Sequence, residues 1–152
     1  MKYKFIFVIL VLIFSLSACA TGQVEPEELP APPTPDAGMA TVTGRVVSDI
    51  TNEPLGGATI RLAEVVRAES EDGGGDVFVL DQAFSPGVYA DDKGIFVVAN
   101  VDAMEYVIVI GDVESIYEVV ADESGKPKVW NALPDAVLNV GDLKVSLTQE
   151  DV

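Results

Sequence analysis

Short stretches of alternating hydrophobic and polar residues, separated by turn-forming residues, make up most of the chain after residue 40. A period of two places successive side chains on opposite faces of a β-strand, so each stretch predicts a strand with one buried face. No stretch beyond the N-terminal apolar run keeps the 3.6-residue period of an amphipathic helix, and we expect little helix. The predicted strands cover residues 40–48, 58–62, 76–81, 95–99, 106–110, 116–120, 128–130 and 142–147.

The stretch from Tyr106 to Ile110 is apolar without interruption. Continuous apolarity predicts a strand that is buried on both of its faces. Several short strands separated by turns, with no helices between them, are typical of a small antiparallel β-sandwich. Residues 40–152 are therefore predicted to form a single all-β domain.

The N-terminal stretch has a different pattern. Two lysines precede an apolar run over residues 5–14, which is shorter than the ~20 residues of a membrane-spanning helix and suits a secretory signal peptide. The sequence Leu16-Ser17-Ala18-Cys19 follows, and it resembles the lipobox of bacterial lipoproteins. The resemblance implies that residues 1–18 are a signal peptide and that Cys19 is lipidated. An ordinary signal peptide, or an uncleaved anchor with a chance cysteine, is the alternative.

Residues 19–39 are rich in proline and acidic side chains and have no hydrophobic period, which predicts an extended tether. Lipid on Cys19 implies a place in the cell envelope, on the outer side of the cytoplasmic membrane or on the outer membrane, with the lipid as the membrane contact. The chain has 9 basic and 25 acidic residues, and loss of residues 1–18 removes two of the basic ones. A protein this acidic repels nucleic acids and anionic membrane surfaces, so neither is an expected partner.

The side-chain chemistry restricts catalysis. The chain has no histidine and Cys19 is its only cysteine, which excludes a histidine-based triad, a thiolate nucleophile in the domain and an ordinary zinc site. Asp91 and Asp92 are the candidates for an acid-pair hydrolase. An aspartate shortly before Gly94 is more typical of a turn cap. We therefore expect a protein that is not an enzyme.

Two ordered motifs carry a resemblance to a known family. The first, residues 44–62, has a Gly-x-Val strand, a turn with Pro54 and Gly56, and a second strand that begins at Ala58. The second is Asp91-Asp92-Lys93-Gly94-Ile95-Phe96, followed by the strand from Tyr106. Both resemble carboxypeptidase regulatory-like domains, which implies a transthyretin-like (prealbumin-like) sandwich. An immunoglobulin-like sandwich is the alternative fold, and residues 65–90 form an insertion relative to the family pattern.

An acidic, glycine-rich stretch lies between two predicted strands. Glu69, Glu71, Asp72 and Asp76 bracket three glycines, and carboxylate oxygens suit Ca²⁺. The spacing does not match an EF-hand loop, and a solvated loop is the alternative interpretation. Apart from this candidate calcium site, the sequence predicts no cofactor.

Aromatic side chains outside the predicted core are candidate glycan contacts. They are Tyr89, Tyr117 and Trp130, although a lone tryptophan in a small sandwich is more typical of a core position. Phe96 and Tyr106 lie on the motif strands and are predicted to be in the core. The sequence thus predicts a lipid-anchored, extracytoplasmic binding or interaction module without catalytic activity. Its partner is an unknown envelope protein or glycan, and a calcium- or carbohydrate-binding surface protein is the alternative.

Overall fold

Nine β-strands and no helix are present in the computed structural model over the residues it describes, 31–67 and 77–152. Within these ranges, no helix is long and apolar enough to cross a membrane. The strands belong to two sheets. They are β1 (Met39–Ser48), β2 (Thr59–Val66), β3 (Val77–Val79), β4 (Gly87–Tyr89), β5 (Ile95–Asp102), β6 (Glu105–Gly111), β7 (Tyr117–Val119), β8 (Val129–Asn131) and β9 (Ala136–Val145).

β1 is the central strand of a three-stranded sheet with the order β5-β1-β9. It runs antiparallel to β5 and parallel to β9, and the β1–β9 pair departs from the predicted antiparallel arrangement. A register shift between Thr43 and Arg45 marks a bulge on the β9 side. A glycine is needed at this bulge because any larger residue at position 44 would place its Cβ only 2.6 Å from Val140 Cγ2. Beside the bulge, Arg45 Nη2 lies 2.6 Å from Asp142 Oδ2 and joins the two parallel strands.

The second, larger sheet is built on the antiparallel pair of β2 and β6. Each of these two strands has two short partners along its other edge. β3 and β4 pair with successive parts of β2, and β7 and β8 pair with successive parts of β6. Interrupted edge strands leave no long row of unpaired backbone groups, which protects these edges from pairing with other chains.

The inner faces of the two sheets enclose one hydrophobic core. Phe96 of β5 and Val46 of β1 pack there against Ile60 of β2 and Ile108 of β6, and none of the four is more than 1% exposed. Burial of each such side chain contributes about 1.5–3 kcal/mol. The predictions of an all-β sandwich and of core positions for Phe96 and Tyr106 are confirmed. The predicted burial of both faces of residues 106–110 is also confirmed, since none is more than 5% exposed.

Several strand bounds differ from the prediction. β2 continues to Val66 instead of ending at residue 62. β9 begins at Ala136 instead of residue 142, because Gly141, with φ 75°, belongs to the bulge and interrupts the two-residue alternation. No sequence pattern predicts β4, because Pro86 and Gly87 indicate a turn.

The last residues of the predicted tether are attached to the sandwich. The Asp36 backbone N–H donates to Asn100 Oδ1 at 2.8 Å, and Asn100 Nδ2 donates to Asp36 Oδ2 at 3.0 Å. The Gly38 N–H donates to Asp135 Oδ1 at 2.7 Å. These four residues are named the tether clamp. Close by, the Thr41 hydroxyl donates to the carbonyl of Pro33 at 3.2 Å, so the chain contacts the sandwich before residue 40.

Candidate interaction surface

An apolar groove crosses the outer face of the larger sheet. Val107 and Val109 alternate along β6 with core residues and therefore point away from the core, as does Ala63, which pairs with Val107. None of the three is more than 5% exposed, because side chains from the flanking strands and loops cover them. This outer groove has a volume of about 260 Å³ and is completed by Phe78, Leu80, Val113, Tyr117, Val119 and Pro127.

Exposed aromatic rings line the outer groove or lie on segments attached to the same sheet. Phe78 and Tyr117 line it and are 37% and 52% exposed. Tyr89 is 75% exposed, and Phe84, on the turn between β3 and β4, is 86% exposed. These four residues are named the aromatic face. Exposed apolar patches of this kind mark sites of interaction on soluble proteins.

The strand register brings two of the predicted glycan contacts onto this face. Tyr89 pairs with Thr59 of β2, and Tyr117 pairs with Gly111 of β6. The adjoining residues of β2 and β6 pair with each other, so the four positions form one row across the sheet. Three strand spacings separate the tyrosine backbones, which is about 14 Å. Only a threonine and a glycine lie between the two rings in this row.

A polar hollow lies beside Tyr89 and has a volume of about 470 Å³. Arg61 Nη1 donates to the carbonyl of Gln82 at 2.9 Å, and Gln82 Nε2 donates to Glu114 Oε1 at 3.3 Å. Thr59 and Asp112 also line the hollow. Polar groups beside an exposed aromatic ring are typical of sites that orient a small polar ligand.

Trp130 does not belong to this surface. Its side chain is 8% exposed and lies in the core cluster. Lys128 Nζ lies 5.0 Å from the centre of its ring. A buried ring has no free face on which a sugar can stack, so the core interpretation of Trp130 replaces its candidate role as a glycan contact.

Asp91 caps a turn, as its position before Gly94 indicates. Its Oδ1 accepts hydrogen bonds from the N–H groups of Lys93 at 2.9 Å and Ile95 at 2.8 Å. The Gly94 N–H donates to the Asp91 carbonyl at 2.8 Å. The carboxylate thus holds the turn between β4 and β5, which favours the cap over an acid pair with Asp92.

The other predicted site residues lie outside the described residues. They are Cys19 and the candidate calcium ligands Glu69, Glu71, Asp72 and Asp76. Lipidation and calcium binding therefore stay predictions. Between residues 31 and 67 and from 77 onward, no group of three or more potential ligands could hold a metal ion.

Sequence reasoning missed Phe84. The local signal for it is Asp81 followed by Ser85-Pro86-Gly87, a combination that is typical of a tight turn. A phenylalanine inside such a turn cannot reach the core of a sandwich unless the whole turn folds inward. The pattern therefore indicates an exposed ring.

Comparisons with known proteins do not assign a family. No family model matches the chain, and no curated protein matches it. Among solved structures it is similar to a proposed carbohydrate-binding protein from Pseudomonas aeruginosa, at 14% identity and a TM-score of 0.45 over 74% of this chain and 92% of that chain. It is also similar to a DUF3823 family protein from Bacteroides uniformis, at 22% identity and a TM-score of 0.41 over 70% of this chain and 43% of that chain.

A third similar structure is a 9R-lipoxygenase from Cyanothece, at 16% identity and a TM-score of 0.42. The alignment covers 72% of this chain and 17% of the lipoxygenase, so the chain spans only a small part of that protein. Similarities this distant carry no function from one protein to another. The function is therefore argued from the surface of the chain itself.

Proposed function

We propose that this protein is a non-catalytic interaction module of the cell envelope, tethered by lipid on Cys19, which binds a partner protein through its aromatic face. The observation that carries the proposal is the exposure of aromatic rings on the larger sheet and on the turn attached to it. Phe78 and Tyr117 line the apolar groove, and Tyr89 and Phe84 lie beyond it. Aromatic side chains are enriched in protein interfaces and dominate their energetics, because each buries a large rigid surface at low cost in conformational entropy. The groove gives such an interface a concave centre.

The N-terminal sequence supports the tethered arrangement. Cys19 follows a signal-like segment, and within the described residues the chain is already bonded to the sandwich at Pro33. About 14 residues of proline-rich chain separate the two, which reach ~40 Å at the rise of polyproline II. A domain held at that distance can contact proteins above the membrane surface.

A protein partner suits the outer groove better than a sugar. The groove is lined by aliphatic and aromatic side chains, with the Tyr117 hydroxyl as the one side-chain polar group among them. Sugars need several hydrogen-bonding groups, whereas apolar side chains of a protein do not. The polar hollow beside Tyr89 favours a neutral glycan as a second candidate ligand, since the acidic protein repels anionic ones.

The experiment compares a variant of the face with a matched control. The face variant carries Phe78→Ala and Tyr117→Ala, and the control carries Ile50→Ala and Leu133→Ala, whose side chains are 61% and 56% exposed and do not line the groove. Solubilised envelope proteins are passed over the immobilised unit Ala31–Val152. A partner retained by the wild type and the control is expected to be lost from the face variant by at least about tenfold.

Equal retention by all three proteins, or no retention by the wild type, would contradict a partner-binding face. Thermal melts of each variant separate lost binding from lost folding. Binding of neutral oligosaccharides to the wild type, abolished by Tyr89→Ala, would support the second candidate instead. The anchor is tested separately, because Cys19→Ala is expected to move the protein from the membrane fraction to the soluble fraction.

A further inference from the structure

Phe84 is the most exposed of the large hydrophobic side chains in residues 31–67 and 77–152, at 86%. An exposed phenyl ring forgoes the burial that an apolar side chain gains elsewhere in a fold. Scattered exposed hydrophobic residues are normal in proteins, so exposure alone indicates nothing. The turn that holds Phe84 supplies the second observation.

Reciprocal hydrogen bonds fix the backbone on both sides of this ring. Asp81 Oδ1 accepts from the N–H groups of Ala83 at 2.7 Å and Phe84 at 3.1 Å. The Ser85 N–H donates to the Asp81 carbonyl at 2.9 Å, and the Asp81 N–H donates to Ser85 Oγ at 2.8 Å. Four hydrogen bonds across residues 81–85 leave the turn little conformational freedom.

The same turn is fastened to the larger sheet. The carbonyl of Gln82 accepts a hydrogen bond from Arg61 of β2 at 2.9 Å, and the Gln82 side chain donates to Glu114 at 3.3 Å. Just beyond the turn, the Leu62 N–H donates to the Pro86 carbonyl at 2.9 Å. The backbone position of Phe84 is therefore set by the sheet, on a turn whose Gln82 lines the polar hollow.

We propose that Phe84 is a preorganised anchor that inserts into an apolar pocket of the partner protein, and that this pocket has a basic rim. The inference rests on the proposed function, and it adds which residue anchors the partner and what kind of pocket the partner must have. A rigidly presented aromatic ring binds with a smaller entropic cost than a flexible one, because the turn is already ordered before binding. Aromatic residues, phenylalanine among them, are enriched in protein interfaces, where a few well-packed anchors carry most of the binding energy.

Charge identifies the chemistry of the rim. Asp112 and Glu114 line the hollow beside the turn together with Arg61, and the chain carries 25 acidic residues against 9 basic ones. A second copy of so acidic a protein is repelled, as is an anionic membrane surface. A partner with basic residues around its pocket is attracted, and its affinity must fall as salt is raised.

The test uses the full-length chain in the cells that encode it. The photoreactive analogue p-benzoylphenylalanine replaces Phe84, Tyr117 or Ile50 in separate strains, and cells are irradiated. Positions 84 and 117 are expected to crosslink to the same protein, while position 50, on the turn after β1 of the other sheet, does not. Mass spectrometry identifies that protein, which is then purified for titration against the wild type.

The titration measures the contribution of the ring and of its turn. Phe84→Ala is expected to weaken binding by at least about 30-fold, and Ile50→Ala by less than about twofold. Asp81→Ala keeps the ring and removes its two backbone caps, and it is expected to weaken binding by about 5–10-fold. Increasing NaCl is expected to weaken binding of the wild type.

Each other outcome overturns a defined part of the inference. Crosslinks from position 117 alone, or a Phe84→Ala variant that binds like the wild type, would refute the anchor and leave the proposed function standing. Crosslinks from neither position would contradict the proposed function itself. An adduct of twice the mass of the chain would identify a second copy, and an adduct degraded by glycosidase or lipase would identify a glycan or lipid. Affinity that is independent of salt would refute the basic rim.

Discussion

Replacing Gly94 with alanine should destabilise the sandwich far more than replacing Gly125. Both glycines hold the fourth position of an Asp-x-x-Gly turn and have positive φ, 74° and 79°. In each turn the aspartate, Asp91 or Asp122, caps the N–H groups two and four residues later. The left-handed backbone costs alanine about 1 kcal/mol at either position.

Only Gly94 is packed against other strands. A Cβ there would overlap the carbonyl oxygen of Val46, whereas a Cβ at Gly125 meets nothing within 4 Å. That carbonyl accepts from the Leu55 N–H at 3.1 Å, and the Val46 N–H donates to the Gly94 carbonyl at 2.8 Å. Relief of the overlap displaces both hydrogen bonds, at about 1 kcal/mol each. The expected losses are therefore about 3 kcal/mol for Gly94→Ala and about 1 kcal/mol for Gly125→Ala.

Urea unfolding of Ala31–Val152 measures the two losses through the fluorescence of Trp130, which is buried in the native state and exposed on unfolding. At about 4 °C per kcal/mol, the melting temperatures of the two variants should differ by about 8 °C. Equal destabilisation by the two substitutions would refute the reasoning. It would mean that the positive φ of Gly94 alone explains the need for glycine there, and that the close approach of Gly94 to β1 contributes nothing to the loss of stability.

Two further predictions concern titratable side chains. Hydrogen bonds from Arg45 lower the pKa of Asp142, so the pair stabilises the fold above about pH 4 and its contribution is lost as the pH falls. Because both side chains are about half exposed, Asp142→Asn should cost only about 0.5 kcal/mol at pH 7, and its urea midpoint should converge with that of the wild type near pH 2. Burial, with Asp102 and Glu64 nearby, raises the pKa of Tyr106 to about 12. The folded state therefore keeps this proton longer than the unfolded state, and stability is lost as the pH rises from about 10 towards 12. Tyr106→Phe, which lacks the 2.9 Å hydrogen bond to the Asp102 carbonyl, should be about 1 kcal/mol less stable at pH 8 and should lose less stability above pH 10.

The sequence was informative where local pattern and burial agree. The alternation around Val46 and the unbroken apolar run from Tyr106 predicted β1 and β6, because each of these strands lies at the centre of its sheet and its side chains face fixed environments. β4 escaped prediction because it has only three residues, and its place in the sheet comes from pairing with β2 instead of from a local pattern. The parallel pairing of β9 with β1 is likewise a property of topology, which no local pattern contains.

The candidate surface was predictable residue by residue but not as a surface. Tyr89 and Tyr117 are recognisable as aromatic residues near loops, yet they are 28 positions apart in the sequence and share a row only through the register of four strands. Trp130 lies in an equally short strand but points inward. A strand of three residues is too short for its alternation to show which side chain faces the core. Phe84 is the reverse case, since its turn chemistry is local and could have been recognised.

The tether clamp has a mechanical consequence. A pull on a lipid at Cys19 would reach the sandwich just before β1, where Asp36 is bonded to Asn100 of β5 and Gly38 to Asp135, the residue before β9. β1 is hydrogen-bonded to β5 on one side and to β9 on the other, so tension along it strains many backbone bonds together in shear instead of opening them one at a time. The aromatic face belongs to the other sheet. Force from a bound partner would therefore pass through the hydrophobic core before it reached β1. The domain would then act as a link that transmits force between the envelope and its partner, with the load entering through a strand that is paired on both sides.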